Sequence, residues 1–232
     1  MEELGLQVAN VAGRDLIVGP DAMTRMQQEL DLQFVSANIL VDGKPLLKPY
    51  IILSKRLGDR EVRIGITGVT MKSRSAVEAW PDANLEFQDA SEAAREVLEV
   101  LRTQTDVRIL LAHLTTAALE ELHAEMPFGY DLLVSSTGEL RETTPIGETP
   151  VVLSPGSRGK HLAWLNLRFE RPGSVHVTGG EVLRLDQKIE DDAEMAARVA
   201  QMKEQLAARP AAGEGRVTTS EAPLPTADGP SP

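Results

Sequence analysis

Apolar and polar residues alternate along the first 208 positions with two periods, one typical of helices and one typical of strands. Helical spacing marks four segments: Asp21–Leu30, Asp89–Thr103, Thr115–Met126 and Asp191–Ala208. Strand patterning marks eight: Gln33–Ile39, Tyr50–Ser54, Glu61–Ile66, Val107–Ala112, Asp131–Ser135, Val151–Leu153, Leu162–Glu170 and Ser174–Leu185. Alternating strands and helices predict parallel strands covered by helices, and the late strands without helices predict an antiparallel part. The fold class is therefore α/β with mixed sheets.

Local signals fix several element ends. The spacings Asp89-x-x-Glu92 and Asp191-x-x-Glu194 predict helix starts of the capping-box kind. The dipeptide Asp42-Gly43 predicts a tight turn, and Gly58-Asp59 lies between two strand segments that we expect to form a hairpin.

The last 24 residues, 209–232, differ from the rest of the chain. Five of the 14 prolines lie there, and Val217 and Leu224 are the only large aliphatic residues. Such a segment buries too little apolar surface to offset its ordering entropy. We therefore predict one domain over residues 1–208 and a disordered tail over 209–232.

The charge and the cysteine content limit which classes of partner and which kinds of metal site the chain is able to use. The chain has 24 Lys and Arg against 35 Asp and Glu, a net charge of −11, which disfavours nucleic acid polymers and anionic membrane surfaces. It has no cysteine, so disulfides and cysteine-ligated metals are excluded. No apolar run approaches the roughly 18 residues that a spanning helix needs, so we expect no membrane insertion.

Candidate chemistry is sparse when the residues are taken alone. The turn Gly156–Lys160 is either a plain turn or a phosphate-binding nest of backbone amides, since its spacing does not match a P-loop. Of the four histidines, His113 ends a buried strand, where ligand-facing residues of α/β folds lie. His123 lies within a helix, and His161 and His176 lie in late strands. Spacing alone predicts structural or surface roles for all four.

A series of motifs nevertheless resembles the bacterial 5′-nucleotidase/UDP-sugar hydrolase branch of the calcineurin-like metallophosphoesterases. In chain order the matching segments are Phe34–Ile39 with its Ser-Ala-Asn, Gly43–Leu46, Lys48–Tyr50, Arg63–Thr70, Ile109–Leu114, Asp131–Ser135 and Val151–Leu165. The resemblance covers roughly residues 5–185. It implies the metallophosphoesterase sandwich of mixed sheets flanked by helices.

The resemblance also implies a centre of two divalent metals, whose ligands this chain matches poorly. The family's Gly-Asn-His-Glu motif falls at residues 12–15, where Gly13 replaces the ligand asparagine and Arg14 replaces the catalytic histidine. Its Gly-His-x-His motif falls at residues 136–139, with Thr137 and Glu139 in place of both histidines. His113 alone matches a ligand in kind, and Glu139 has an oxygen to donate.

Two functions follow from this combination. In the first, the domain is catalytically impaired, needs no cofactor, and binds a protein partner or an anionic ligand through Arg14, Arg158 and Lys160. In the second, it is a divergent phosphoesterase that hydrolyses nucleotides or related phosphate esters with Mn²⁺, Zn²⁺ or Ca²⁺ held by His113 and Glu139.

The front of the family domain, with its Asp-x-His and Gly-Asp ligands, would precede Met1. We therefore expect an upstream segment or a partner chain to complete the sheet, because open sheet edges are aggregation-prone. By resemblance, the protein is periplasmic or extracellular. No signal peptide is visible, so a start at Met1 would make it cytoplasmic.

Overall fold

A computed structural model describes residues 5–127, 129–136, 141–145, 151–154, 159–171 and 174–208. The strands are β1 (Val8–Asn10), β2 (Gln33–Val35), β3 (Ile39–Val41), β4 (Lys44–Pro45), β5 (Tyr50–Leu57), β6 (Arg60–Thr70), β7 (Leu85–Phe87), β8 (Val107–His113), β9 (Leu132–Ser135), β10 (Arg141–Pro145), β11 (Val151–Ser154), β12 (His161–Arg171) and β13 (Ser174–Arg184). The helices are α1 (Gly13–Leu16), α2 (Pro20–Glu29), α3 (Arg74–Glu78), α4 (Ala90–Gln104), α5 (Thr116–Glu125) and α6 (Ala193–Ala208). Two compact units divide the chain, residues 1–186 and 187–232, and α6 belongs to the second.

The main sheet has six strands in the order β10-β11-β9-β8-β6-β5. The four middle strands run parallel to one another, and β5 and β10 pair antiparallel at the two edges. The predicted α/β class with mixed sheets is therefore confirmed. This order places the carboxyl ends of β6, β8 and β9 side by side.

Helices α4 and α5 cover one face of this sheet. The face of α4 that contacts the sheet includes Ala94, Val97, Leu98 and Leu101, which are all buried. They pack against sheet residues that include Leu110 and Leu133. Fully burying such a leucine contributes about 1.5–3 kcal/mol, so this layer holds much of the domain's stability.

A pair of small sheets and three helices form a second layer. Strands β1 and β2 pair in parallel, and β3 pairs with β4 and β7. Their core includes Leu16, Met23 and Trp80, and the Trp80 indole N–H donates to the Leu16 carbonyl at 2.6 Å. The predicted Asp42-Gly43 turn joins β3 to β4 with positive φ at both residues, 51° and 71°, as in a type I′ hairpin.

The last two strands of the first unit form a long antiparallel hairpin, β12–β13. Its inner end packs on the main sheet through Phe169 and Val175, which contact Val62 and Val107. The Arg60 guanidinium lies 4.6 Å from the centre of the Phe169 ring and donates to the Glu170 carbonyl at 3.1 Å. A cation–π contact and a hydrogen bond therefore attach the hairpin to the tip of β5–β6.

Two sequence predictions need correction. The predicted strand Gln33–Ile39 is interrupted at Ser36–Asn38, because the Asn38 side chain leaves the strand path to bind the backbone of Thr70 and Gln88. The last helix is capped by Asp192 rather than Asp191, since Asp192 Oδ1 accepts from the Met195 amide at 2.9 Å. The predicted tail, 209–232, lies outside the described residues, and the boundary at 208 stays a prediction.

Candidate functional site at the strand ends

The candidate site lies where β6, β8 and β9 end, because sheet register brings their last residues together. Thr70 pairs with His113, and Ala112 pairs with Ser135. In open α/β sheets this edge is where ligands bind, at the carboxyl ends of parallel strands. His113 therefore lies where its place in the sequence predicts.

Strand β1 and the start of α1 are tied to the same edge. Thr70 Oγ1 donates to the Val11 carbonyl at 2.6 Å, and Asn10 Nδ2 donates to the Val69 carbonyl at 2.9 Å. Asn38, which is 1% exposed, accepts from the Thr70 amide at 2.9 Å and donates to the Thr70 carbonyl at 2.8 Å. The end of β6 is thus fixed by polar side chains from two other segments.

His113 is half-buried and makes one side-chain hydrogen bond at this edge. Its Nδ1 lies 2.8 Å from Ser136 Oγ, and the tautomer decides which atom donates. Burial lowers the pKa of His113, and the nearby Asp15 carboxylate raises it by less. The imidazole is therefore held toward its neutral form, in which it is able to act as a ligand or a base.

The Asp15 carboxylate lies close enough to raise the pKa of His113, but it is already hydrogen-bonded at the start of α1. Its Oδ2 accepts from the Ala12 amide at 2.8 Å, which satisfies one of the free N–H groups at the helix start. Arg14 is exposed and makes no ion pair with any described residue. The carboxylate and the guanidinium therefore come from neighbouring positions on one short helix.

Gly13 is buried, and the space beside it is filled by Ser73. A Cβ built on Gly13 would overlap Ser73 Cβ and lie 2.6 Å from Ser73 Oγ. Ser73 is held in place because its Oγ accepts from the Ala76 amide at 3.3 Å and so caps α3. A side chain at the position where the resemblance expects a ligand asparagine would therefore have to displace Ser73.

The described residues do not by themselves fit a two-metal centre. Within the described ranges, no group of three or more His, Cys, Asp or Glu side chains is placed to hold a metal ion. Gly13 offers no donor atom, and Arg14 brings a positive charge where the resemblance expects a histidine. One imidazole with a capping carboxylate falls short of the three protein ligands that catalytic metal sites use.

The other predicted site residues are not brought to this edge by the described contacts. Lys160 immediately precedes β12, is exposed, and has its carbonyl bound to the Leu185 amide at 2.8 Å. Thr137, Glu139 and Arg158 lie outside the described residues. The anion site of Arg14, Arg158 and Lys160 and the ligand role of Glu139 therefore stay predictions.

Sequence reasoning missed Ser73, Asp15 and Ser136. Asp15 had a local signal, since an acidic residue three positions after a helix start commonly caps it. Ser136 had a weaker one, as the residue following a strand that pairs with β8. Ser73 had none, because 60 residues separate it from Gly13 along the chain.

Comparisons with known proteins agree with this architecture. No protein-family model matches the chain. A calcineurin-like phosphoesterase, YfkN from Bacillus subtilis, superimposes with a TM-score of 0.72 at 20% identity, over 89% of this chain and 72% of that one. The chain has the calcineurin-like phosphoesterase fold. A 5′-nucleotidase precursor from Thermus thermophilus matches the same fold with a TM-score of 0.69 at 18% identity, over 89% of this chain and 44% of its own.

Sequence comparison points to the same branch of the calcineurin-like fold. Bovine 5′-nucleotidase is 27% identical over 197 residues, which cover 74% of this chain. The same match covers 33% of the bovine protein, so the chain spans about a third of that relative's length. The resemblance to calcineurin-like phosphoesterases and 5′-nucleotidases that the motifs indicated is confirmed.

Proposed function

We propose that this chain is a catalytically impaired domain of the 5′-nucleotidase-related metallophosphoesterase type, which acts by binding rather than by hydrolysis. One observation carries the proposal: the ligand position at Gly13 is filled by Ser73. A missing ligand whose space stayed open could be replaced by water or a substrate atom. Because Ser73 occupies this space, neither water nor a substrate atom could take the missing ligand's place beside Gly13.

The charges at the site support the same proposal. Arg14 is exposed and makes no ion pair with a described residue, so its guanidinium is open to a ligand. The same guanidinium attracts phosphate and carboxylate groups, which it is able to hold through two parallel hydrogen bonds. The exposed Arg14 guanidinium is therefore compatible with an anionic ligand.

A protein partner is supported by the edge of β1. Backbone hydrogen bonds that involve the amides of Gln33 and Val11 join every second residue of the β1 segment to β2. The backbone N–H and C=O groups of Val8 and Asn10 therefore point away from β2. No described strand pairs there. A strand from a partner chain or from an upstream segment would satisfy these groups, and it would slow amide hydrogen exchange at Val8 and Asn10.

The alternative is a divergent metal-dependent phosphoesterase. It is favoured by the fact that His113 keeps the strand-end position, with Asp15 close enough to affect its pKa. In that case Asp15 would have to leave the Ala12 amide in order to bind a metal.

Metal content and phosphatase activity test the proposal together. The purified chain is incubated with Mn²⁺, Zn²⁺ or Ca²⁺, desalted, and measured for bound metal by mass spectrometry and for nucleotide hydrolysis. We expect no retained metal and no turnover above a buffer control. Retained metal with turnover, both lost in His113→Ala and kept in the control His176→Ala, would establish the phosphoesterase instead.

Location is also a proposal. Among the described helices, none is long and apolar enough to cross a bilayer. The family resemblance favours export to the periplasm or the cell surface, and fractionation of cells that express the natural gene tests it.

A further inference from the structure

One face of the β12–β13 hairpin is apolar and exposed. Directly paired residues of an antiparallel sheet share a face, and so do alternate residues of each strand. Leu162 pairs with Leu183 and Trp164 pairs with Glu181, while the Leu185 amide bonds to the Lys160 carbonyl. We call these residues the hairpin face: Lys160, Leu162, Trp164, Glu181, Leu183 and Leu185.

The apolar side chains of the hairpin face are exposed to solvent, whereas apolar side chains of a sheet normally face the core. Leu162 is 55% exposed, Trp164 and Leu185 are each 44% exposed, and Leu183 is 40% exposed. The residues between them on the opposite face, such as Ala163 and Leu165, are half-buried. Contiguous apolar side chains on a surface mark an interaction site, because their exposure to water is unfavourable.

The charges on the hairpin face identify its partner. Lys160 lies at one end and Glu181 at the other, with the leucines between them, and neither charge pairs with a described residue. A two-fold axis perpendicular to the line from Lys160 to Glu181 brings each lysine to the glutamate of a second copy. The same rotation lays Leu162 and Leu183 against their counterparts in the second copy and places Trp164 beside the second copy's Lys160. The hairpin face is therefore complementary to itself, as interfaces with two-fold symmetry must be.

We propose that the hairpin face is the contact surface of a homodimer, with Lys160 of each copy paired to Glu181 of the other around a core of leucine and tryptophan side chains. This proposal is independent of the proposed function, since it uses no residue of the strand-end site. Four apolar side chains make a small core, so the dimer forms at higher protein concentration rather than being permanent.

Reversing one charge at a time tests the pairing. Lys160→Glu and Glu181→Lys each place like charges opposite one another at two points of the dimer. We expect each variant to dimerise about tenfold more weakly than the natural chain in sedimentation velocity. Both side chains are exposed, so the variants should fold normally, and circular dichroism checks this. The control Lys55→Glu changes the charge of an exposed strand residue elsewhere and should dimerise like the natural chain.

Mixing the two variants gives the decisive result. In a mixed dimer both contacts again join opposite charges, so an equimolar mixture should dimerise as strongly as the natural chain. Coverage of Trp164 should also shift its fluorescence to shorter wavelength, while Trp80 is already buried. A natural chain that remains monomeric up to its solubility limit would overturn the proposal. So would a mixture that dimerises no better than either variant alone.

Discussion

At position 13, a side chain would compete with Ser73 for the same volume. Gly13 has ordinary helical geometry, so the obstacle to substitution is contact and not backbone strain. Gly13→Asn should therefore lower the free energy of unfolding by about 1–3 kcal/mol, the usual cost of overpacking. Urea unfolding followed by circular dichroism measures the change.

A double variant tests whether the overlap with Ser73 causes the loss of stability at position 13. Adding Ser73→Gly to Gly13→Asn should recover most of the lost stability, because it removes the overlapping atoms at the cost of a helix cap. Gly179→Ala is the matched control, since a Cβ there meets only Asn166 Nδ2 at 3.6 Å. Equal losses at positions 13 and 179 would contradict the steric account.

The lowered pKa of His113 makes stability depend on pH. Because its folded pKa lies below the ordinary value of 6.5, the unfolded chain binds the proton more readily. The contribution of His113 to stability is therefore complete above pH 6.5 and is lost as the pH falls below it. We expect His113→Gln to lose less stability than the natural chain between pH 7.5 and 5. Parallel unfolding curves at both pH values would show that burial does not govern this group.

At the scale of elements, the pair Arg108–Asp131 fixes β8 and β9 relative to one another. Asp131 Oδ2 accepts from the Arg108 amide at 2.8 Å and from its Nε at 3.1 Å, and the two side chains are 12% and 5% exposed. Asp131→Ala would leave the largely buried Arg108 guanidinium without this carboxylate partner. We expect a loss of about 3–5 kcal/mol, measured by urea unfolding.

The control for that variant is an exposed pair of the same chemistry. Arg74 and Glu78 are 2.9 Å apart at 92% and 63% exposure. Glu78→Ala should cost less than about 1 kcal/mol, as exposed pairs usually do. If both variants lost the same stability, burial would not be what makes the Arg108–Asp131 pair important.

Hydrophobic periodicity predicted the long helices and strands because the burial of their side chains follows that periodicity closely. Helix α4 has one apolar face, strand β8 is apolar on both faces, and both elements were found from the sequence alone. The break at Ser36–Asn38 could not be found this way, because the hydrogen bonds of Asn38 that cause it involve Thr70 and Gln88, 32 and 50 positions away. The site shows the same division: the place of His113 follows from strand order, whereas the Ser73 contact depends on how two short helices pack.

At the scale of the whole molecule, the predicted tail should be dispensable for folding. Residues 209–232 have too few large apolar side chains to form a core of their own. A chain ending at Ala208 should therefore melt within about 1 °C of the full chain, since a Tm shift of several degrees requires about 1 kcal/mol. Its NMR spectrum should lose only sharp signals near random-coil positions. A clear drop in Tm would mean that the tail packs against folded residues.

The contact between Gly13 and Ser73 also bears on the history of the protein. A descendant that acquired asparagine at position 13 by a single substitution would first pass through a less stable protein. The change at position 73 would have to come earlier, when it brings no benefit and weakens a helix cap. When substitutions occur one at a time, asparagine at position 13 is therefore opposed by a loss of stability.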